Sequence, residues 1–235
     1  MRDDLLRRRC ALAVMAKLPR AGTCKTRLVP PLTAEEAAAL SRCFLIDTAH
    51  NVEDVADACG AVPVAVYTPP APMAERSELF GPAFTYLAQR GDRFGDRLFN
   101  AVDDLLAEGY GAVCLIDSDS PTLPARYLAE AVRRLAKPGE RIVIGPALDG
   151  GYYLLGVKSR LRALFHDIAW STSAVFEQTC ERARACGVAI DILEGWYDVD
   201  DAAGLEMLRS ELSRSQRGPG YAAPVTRRYL AGSAS

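Results

Sequence analysis

Short apolar runs and amphipathic segments alternate along most of the chain. Short, mainly apolar runs at 10–16, 62–67 and 112–117 have the length of buried strands. Leu40, Phe44, Val52 and Val55 recur at roughly helical spacing, after a capping box at 33–36 that opens a helix. The same patterns predict strands at 84–88, 141–145, 152–157 and 188–193, and helices at 95–107, 124–136, 172–186 and 202–212.

The order of these elements predicts the fold class. Strands that alternate with helices indicate an α/β fold, in which helices cover both faces of an open, mostly parallel sheet. The sequence Asp149-Gly150-Gly151 between two strands predicts a hairpin-like step, so we expect a mixed sheet. Helical and strand periodicity is lost near residue 214. We therefore expect a single domain over 1–213 and a flexible C-terminal tail over 214–235.

Composition narrows the function classes. The formal net charge of -2, with acids and bases interleaved, argues against a nucleic-acid partner. Seven scattered cysteines without a Cys-x-x-Cys pair indicate reduced thiols and a cytoplasmic location. The two histidines, His50 and His166, are too few for a His-rich zinc site. No apolar run is long enough to cross a membrane. For the oligomeric state, a homodimer is one candidate.

The loop directly after the first predicted strand is the strongest local signal. It contains Lys17, Gly22, Lys25, Thr26 and Arg27. Ligands of open α/β sheets bind where strands end in loops, a glycine lets the backbone approach a phosphate, and three cations can neutralise a diphosphate. The loop is not a Walker A motif, which needs glycine where this chain has a proline. A solvated basic loop is the alternative interpretation.

Two pairs of aspartates follow predicted strands. Asp117 and Asp119 end the strand at 112–117, and alternate residues of extended chain can face one ion. Asp198 and Asp200 follow the strand at 188–193, although Asp200 or its neighbour Asp201 can instead cap the last helix. Magnesium commonly takes one or two carboxylates together with substrate phosphates. We therefore expect Mg²⁺, or Mn²⁺ in its place, to be held by these pairs.

Two further segments can contribute to a site. Asp149, Gly150 and Gly151 form a tight turn by default; the functional alternative is a wall of an acceptor pocket, with Asp149 as general base. Ser171 and Thr172 precede a helix, so their hydroxyls are expected to cap it, and its N-terminus can also attract an anion.

One arginine and both histidines complete the set of residues considered. Arg97, near the start of the helix at 95–107, can reach a nucleotide, but surface arginines are common. His50 and His166 belong to no constellation, and we interpret them as structural.

These motifs, in this order, resemble one family. The motifs are Lys-x-Pro-x-x-Gly-x-x-Lys-Thr-Arg-Leu at 17–28, Phe-Leu-x-Asp-Thr at 44–48, Ser-Asp-Ser-Pro at 118–121, Gly-Pro-Ala-x-Asp-Gly-Gly-Tyr-Tyr-Leu at 145–154, Trp-Ser-Thr at 170–172 and Asp-Val-Asp at 198–200. Together they are similar to the CofC-like group of glycosyltransferases associated with arsenosugar biosynthesis. The resemblance spans roughly 12–208. It implies the glycosyltransferase-A-type fold of nucleotide-diphospho-sugar transferases, a three-layer fold shared with MobA-like enzymes.

The resemblance also implies residue roles. Lys17, Gly22, Lys25 and Arg27 would hold nucleotide phosphates, and Asp119 would bind the metal, with Asp198 and Asp200 as candidate partners. Asp117 stands where the family pattern has glycine.

Three functions stay open on the sequence. The first is a metal-dependent transfer from a nucleotide-sugar to a small-molecule acceptor, with Asp119, Asp149 and Lys25 as catalytic candidates. The second is nucleotidylyl transfer from a nucleoside triphosphate to a phosphorylated acceptor, which releases pyrophosphate. The third is nucleotide binding without catalysis.

Overall fold

A computed structural model describes residues 9–214 and 220–232, and its seven strands form one mixed sheet. The strands are β1 (Cys10–Lys17), β2 (Val62–Thr68), β3 (Thr85–Ala88), β4 (Ala112–Ile116), β5 (Arg141–Pro146), β6 (Tyr152–Val157) and β7 (Ala189–Ile192). Their spatial order is β3-β2-β1-β4-β6-β5-β7. Strand β6 runs antiparallel to both of its neighbours, and every other pair is parallel. The predicted mixed, mostly parallel sheet is confirmed.

Helices cover the sheet. They are α1 (Ala34–Cys59), α2 (Met73–Ser77), α3 (Phe94–Ala107), α4 (Ala125–Leu135), α5 (Val175–Ala185), α6 (Ala202–Ser213) and α7 (Pro224–Gly232), with 3₁₀ turns at Thr26–Leu28 and Arg162–Leu164. The predicted capping box opens α1: the Thr33 hydroxyl accepts from the Glu36 N–H at 3.1 Å, and the Glu36 carboxylate accepts from the Thr33 N–H at 2.8 Å. Helix α2 was not among the predicted elements.

Alternation along the central strand creates the three layers. Leu12 and Val14 of β1 join an apolar cluster with residues of α1 and α4. Ala11 and Ala13 point to the opposite face and join residues of α3 and α5. Because β1 lies in the middle of the sheet, both of its faces are buried, which is why it reads as an uninterrupted apolar run. The three-layer α/β architecture is therefore confirmed.

The carboxyl ends of β1, β4, β5 and β7 meet at one edge of the sheet, because these strands are parallel. The basic loop follows β1, the Asp117–Asp119 segment follows β4, and the turn with Asp149 joins β5 to β6. The loop from β7 to α6 carries Asp198 and Asp200 to the same edge. The fold thus collects most of the predicted site residues in one place.

The C-terminal residues differ from the tail expected over 214–235. Residues 220–232 include α7, which packs on α1, and Ala223 and Thr226 are buried. The carboxylate of Asp47 in α1 accepts hydrogen bonds from the N–H groups of Val225 (3.1 Å) and Thr226 (2.7 Å). This cap from a distant helix is invisible to local periodicity. Residues 1–8, 215–219 and 233–235 of the expected domain and tail lie outside the described residues.

Among the described helices, none combines the length and apolar character needed to cross a bilayer.

Candidate functional site

A cationic cavity of about 210 Å³ lies at the carboxyl edge, between the basic loop and the aspartate loops. Lys17, Lys25, Thr26 and Arg27 line it from the basic loop, and Asp119 and Asp200 line it from the opposite side. The Lys17 ammonium donates to the Thr23 carbonyl at 2.5 Å, so the loop is folded on itself. The cavity combines the cations and the carboxylates that the sequence placed in separate motifs.

Lys25 is the centre of this cavity. Its ammonium lies 2.5 Å from Oδ1 of Asp119 and 2.8 Å from Oδ1 of Asp200, and it also donates to the Val199 carbonyl at 2.8 Å. Only 4% of the Lys25 side chain is exposed. The residue has a φ of 47°, a left-handed conformation that costs a non-glycine residue on the order of 1 kcal/mol. The fold therefore holds this ammonium in place against a local backbone preference.

The charge of Lys25 is retained by its partners. Burial by itself lowers the pKa of the ammonium, but the adjacent carboxylates of Asp119 and Asp200 outweigh burial and raise the pKa above its ordinary value. Lys25 is thus a fixed positive charge at neutral pH. A fixed, desolvated cation is suited to binding the phosphates of a nucleotide.

Asp117 and Asp119 do not face the same space, although alternation along a strand would have aimed them together. Strand β4 ends at Ile116, and the chain bends over 118–119, so the expected alternation is lost. Asp117 accepts a hydrogen bond from the Ser120 hydroxyl at 2.8 Å. Burial, and then the nearby charge of Asp119, raise the pKa of Asp117 well above its usual range. Because Asp117 lines a different cavity from Asp119 and Asp200, Asp119 is the better metal candidate of the pair.

The two aspartates of the second pair, Asp198 and Asp200, also have different surroundings. The capping role belongs to Asp201, whose carboxylate accepts from the Gly204 N–H at 2.9 Å at the start of α6. Asp200 is therefore available to Lys25. Burial, followed by the charges of Asp149 and Asp200, raises the pKa of Asp198 to about 6. The negative charges of Asp149 and Asp200 thus repel that of Asp198, and a bound cation would reduce this repulsion.

A second cavity, also of about 210 Å³, adjoins the first across the segment 117–119. Asp117 lines the second cavity, whereas Ser118 and Asp119 line the first. Its further lining includes Phe94, Asp149, Gly151, Tyr152, Trp170, Ser171 and Thr172. Residues of the motifs at 145–154 and 170–172 thus line the same cavity, separate from the basic loop.

Some predicted residues contribute to neither cavity. Gly22 has a φ of 74°, with no atom within 4 Å of the place a Cβ would take, and it lines neither cavity. Gly150 has a φ of 92° and packs against the backbone of Ser173, outside both cavities. Arg97 donates to the Asp92 carbonyl at 3.0 Å and lines neither cavity.

The expected hydroxyl cap before α5 is wrong. The helix begins at Val175, three residues later than predicted, and its N-cap residue Ala174 makes no side-chain capping bond. Ser171 has a φ of 64°, which turns the chain before the helix can start. The Thr172 hydroxyl donates to the Ala169 carbonyl at 2.7 Å and accepts from the N–H of Ala174, the residue before the helix, at 3.3 Å. Ser171 and Thr172 consequently present their side chains at the second cavity.

Asp119 and Asp200 are the candidate ligands for a magnesium ion whose coordination substrate phosphates would complete. The described residues contain no group of three or more His, Cys, Asp or Glu side chains arranged for a metal ion. Two carboxylates are nevertheless enough for Mg²⁺ when phosphate oxygens and water fill the remaining positions. One oxygen of each carboxylate contacts the Lys25 ammonium. The side chains of Asp119 and Asp200 are 38% and 44% exposed, respectively.

Several residues of the site carried no decisive sequence signal. Ser41 of α1 lines the cationic cavity through tertiary packing alone. Phe94 and Tyr152 line the second cavity, yet apolar aromatic residues at the ends of elements usually belong to a core. In the motif at 170–172 only the hydroxyl residues were predicted to contribute to a site, but the indole of Trp170 also lines the second cavity.

The family described as "Uncharacterized protein conserved in bacteria (DUF2064)" matches residues 51–172, just over half of the chain. The chain belongs to this family. The matched region of this DUF2064 protein contains Asp117, Asp119 and Asp149 and ends at Thr172, so it covers the lining of the second cavity except Met15 and Val175, and half of the metal candidates. Among curated proteins, none matches the chain.

Solved structures support the fold. A protein from Desulfovibrio desulfuricans G20, provisionally named a nucleotide-diphospho-sugar transferase, is 28% identical with a TM-score of 0.81, and the match covers 94% of this chain and 95% of that chain. A 4-diphosphocytidyl-2C-methyl-D-erythritol synthase is 14% identical with a TM-score of 0.55, over 86% of this chain and 97% of that chain. A CMP:2-keto-3-deoxy-manno-octonic acid synthetase in complex with CTP is 13% identical with a TM-score of 0.53, over the same shares of the two chains.

These similarities confirm the fold of nucleotide-diphospho-sugar transferases and agree with the prediction of a transferase. The two synthases share the fold alone at their low identity. The CofC-like, arsenosugar-associated group that the motifs resemble is a finer assignment than these matches reach.

Proposed function

We propose that this DUF2064 protein is a glycosyltransferase that moves a sugar from a nucleotide-sugar to a small-molecule acceptor. The observation that carries the proposal is the placement of Lys25 between Asp119 and Asp200 in the cationic cavity. This arrangement sets a fixed ammonium beside two carboxylates suited to Mg²⁺, which together match a nucleoside diphosphate and its metal.

The donor would bind with its diphosphate at the cationic cavity. Lys17, Lys25 and Arg27 offer positive charge to the phosphates, and Thr26 offers a hydroxyl. Asp119 and Asp200 would hold Mg²⁺, which when bound supplies positive charge that stabilises a leaving diphosphate. The Lys25 ammonium would add positive charge at the same point.

The acceptor would bind in the second cavity, across the segment 117–119 from the diphosphate. In the transfer, a nucleophilic atom of the acceptor forms a bond to the anomeric carbon of the sugar. The bond from that carbon to the diphosphate oxygen breaks, and the nucleoside diphosphate leaves with the electron pair. Asp149 lines this cavity and is the candidate base for the proton of the nucleophile. One of its oxygens, Oδ1, accepts the Gly151 N–H at 2.8 Å, which orients the carboxylate.

The lining of the second cavity favours glycosyl transfer over nucleotidylyl transfer to a phosphorylated acceptor. Among its described lining residues there is no lysine or arginine, whereas Asp117 and Asp149 are both present. A phosphorylated acceptor would face carboxyl groups without a countercharge, which is unfavourable. An acceptor without phosphate suits this cavity, and all phosphates then belong to the donor.

A thermal-shift panel tests the proposal. Nucleoside triphosphates and nucleotide-sugars are compared, each with and without magnesium. We expect a nucleotide-sugar to raise the melting temperature more than its parent nucleoside diphosphate, and only with magnesium present. A stronger effect of a triphosphate would favour nucleotidylyl transfer, and the absence of any shift would leave the similarity as one of fold.

A further inference from the structure

The second cavity has three aromatic walls that meet at steep angles. The rings of Phe94 and Trp170 have centroids 5.1 Å apart and planes at 88°. The rings of Trp170 and Tyr152 follow at 6.5 Å and 76°. Three aromatic side chains thus line one space at steep angles to one another, and the faces of aromatic rings attract cations.

The indole of Trp170 is held where it is by the backbone beside it. Gly95, at the start of α3, lies so close that a Cβ there would stand 2.8 Å from Nε1 of Trp170 and 2.4 Å from the Phe165 carbonyl oxygen. The absence of a side chain at Gly95 thus makes the space for the indole. Close packing therefore fixes the position of the Trp170 ring.

The described lining of this space has acidic side chains and no basic side chain. Asp117 and Asp149 line the cavity, and its described lining residues include no lysine or arginine. The guanidinium of Arg97 lies 5.7 Å from the centroid of the Phe94 ring, but Arg97 donates to the Asp92 carbonyl and does not line the cavity. Apolar residues such as Met15, Leu98 and Val175 complete the lining.

We infer that the second cavity binds a substituted ammonium group, so that the acceptor is a small organic cation with an apolar frame. The identification of this ligand as the acceptor rests on the proposed function. The ligand class rests only on the aromatic cage, which consists of Phe94, Tyr152 and Trp170 with Asp149 beside them. The aromatic faces of Phe94, Tyr152 and Trp170 attract the positive charge and contact its alkyl groups, and Asp149 supplies the opposite charge. A carboxylate or phosphate ligand is repelled by the same lining.

Three probes of similar size and shape but different charge test the inference: tetramethylammonium, tert-butanol and pivalate. Binding is followed by NMR through the indole N–H signal of Trp170 in ¹⁵N-labelled protein, assigned with Trp170→Phe. No nucleotide is added, so that a role of Asp149 in catalysis does not enter. We expect tetramethylammonium to bind about tenfold more tightly than tert-butanol, and pivalate not to bind. Equal affinity of the cation and the alcohol, or tighter binding of pivalate, would overturn the inference.

Matched variants assign the effect to the cage. Asp149→Asn should weaken tetramethylammonium about fivefold to tenfold and leave tert-butanol unchanged. Asp167→Asn is the control, because Asp167 is exposed, lies outside the lining and has a left-handed φ of 53° that asparagine tolerates. An unchanged affinity in Asp149→Asn would contradict the inference.

Nucleotide binding is measured on the same samples. Loss of probe binding with intact nucleotide binding overturns the inference and leaves the proposed function standing. Loss of nucleotide binding with intact probe discrimination does the reverse, because the two ligands use different cavities.

Discussion

The ammonium of Lys25 lies 2.5 Å from Oδ1 of Asp119 and joins the loop after β1 to the end of β4. A lysine ammonium has three N–H donors, and those of Lys25 are matched by Asp119, Asp200 and the carbonyl of Val199. A phosphate can therefore gain a hydrogen bond from Lys25 only in exchange for one of these partners. The affinities for nucleotide and for a metal at the carboxylates should consequently be coupled.

Replacing Lys25 with methionine removes the charge and keeps most of the side-chain volume. We expect nucleotide affinity to fall by roughly tenfold to a hundredfold, because a hydrogen bond from a charged donor contributes about 1.5–3 kcal/mol. Isothermal titration with a nucleoside diphosphate measures the loss. Lys158→Met is the control, since the Lys158 ammonium donates to the carbonyls of Lys137 and Gly139, away from both cavities. Unchanged affinity in Lys25→Met would sink the phosphate-binding role.

Asp119→Asn should abolish the magnesium dependence of nucleotide binding. The substitution removes a candidate ligand and also frees a donor of Lys25, so we expect affinity without magnesium to be preserved or increased. Titrations with and without magnesium give both values. Asp117→Asn is the matched variant: Asp117 lines the other cavity and is hydrogen-bonded to Ser120, so its magnesium dependence should resemble that of the unmodified protein. If Asp117→Asn and not Asp119→Asn loses the dependence, the metal assignment is reversed.

Asp47→Ala should loosen the C-terminal helix. The variant removes the acceptor for the N–H groups of Val225 and Thr226 at the start of α7. The loss of such a cap costs about 1–2 kcal/mol in the free energy of unfolding, and limited proteolysis should cut earlier between 214 and 232. Asp57→Ala, at an exposed position of the same helix, is the control. Equal stability and equal proteolysis of the two variants would show that the cap contributes nothing.

Gly95→Ala should damage the second cavity and spare the first. The new methyl group would collide with the Phe165 carbonyl and the Trp170 indole, which must move. Overpacking of this kind costs about 1–3 kcal/mol of stability. We expect tetramethylammonium binding to be lost while nucleoside diphosphate affinity, read by titration below the melting temperature, stays the same. Retained binding of the cation would mean that the position of Trp170 is not critical.

Local sequence patterns predicted most of the fold and the edge that bears the site. Buried strands such as β1 and β4 are apolar runs, and loops after parallel strands meet by topology, so the basic loop and Asp119 could be placed near each other. The direction of Asp117 could not be predicted, because it depends on where β4 stops being extended. Nor could the pairing of Lys25 with Asp200, which joins residues 175 positions apart.

The aromatic cage and the C-terminal helix were missed for related reasons. Phe94, Tyr152 and Trp170 come from three separate segments of the chain. Taken singly, each is an aromatic residue of the kind usually found in a core. The helix α7 is short and depends on Asp47 of α1, so its stability comes from tertiary contacts and not from its own periodicity. Both features became visible only once distant segments were brought together.

Phosphorus NMR of the reaction products tests the central claim most directly. The protein is incubated with magnesium, a small organic amine that carries a hydroxyl group, and either a nucleotide-sugar or a nucleoside triphosphate. Glycosyl transfer predicts that a nucleoside diphosphate is released from the nucleotide-sugar, that Asp119→Asn suppresses this release, and that the triphosphate stays intact. Release of pyrophosphate from the triphosphate, with the nucleotide-sugar unchanged, would contradict the account.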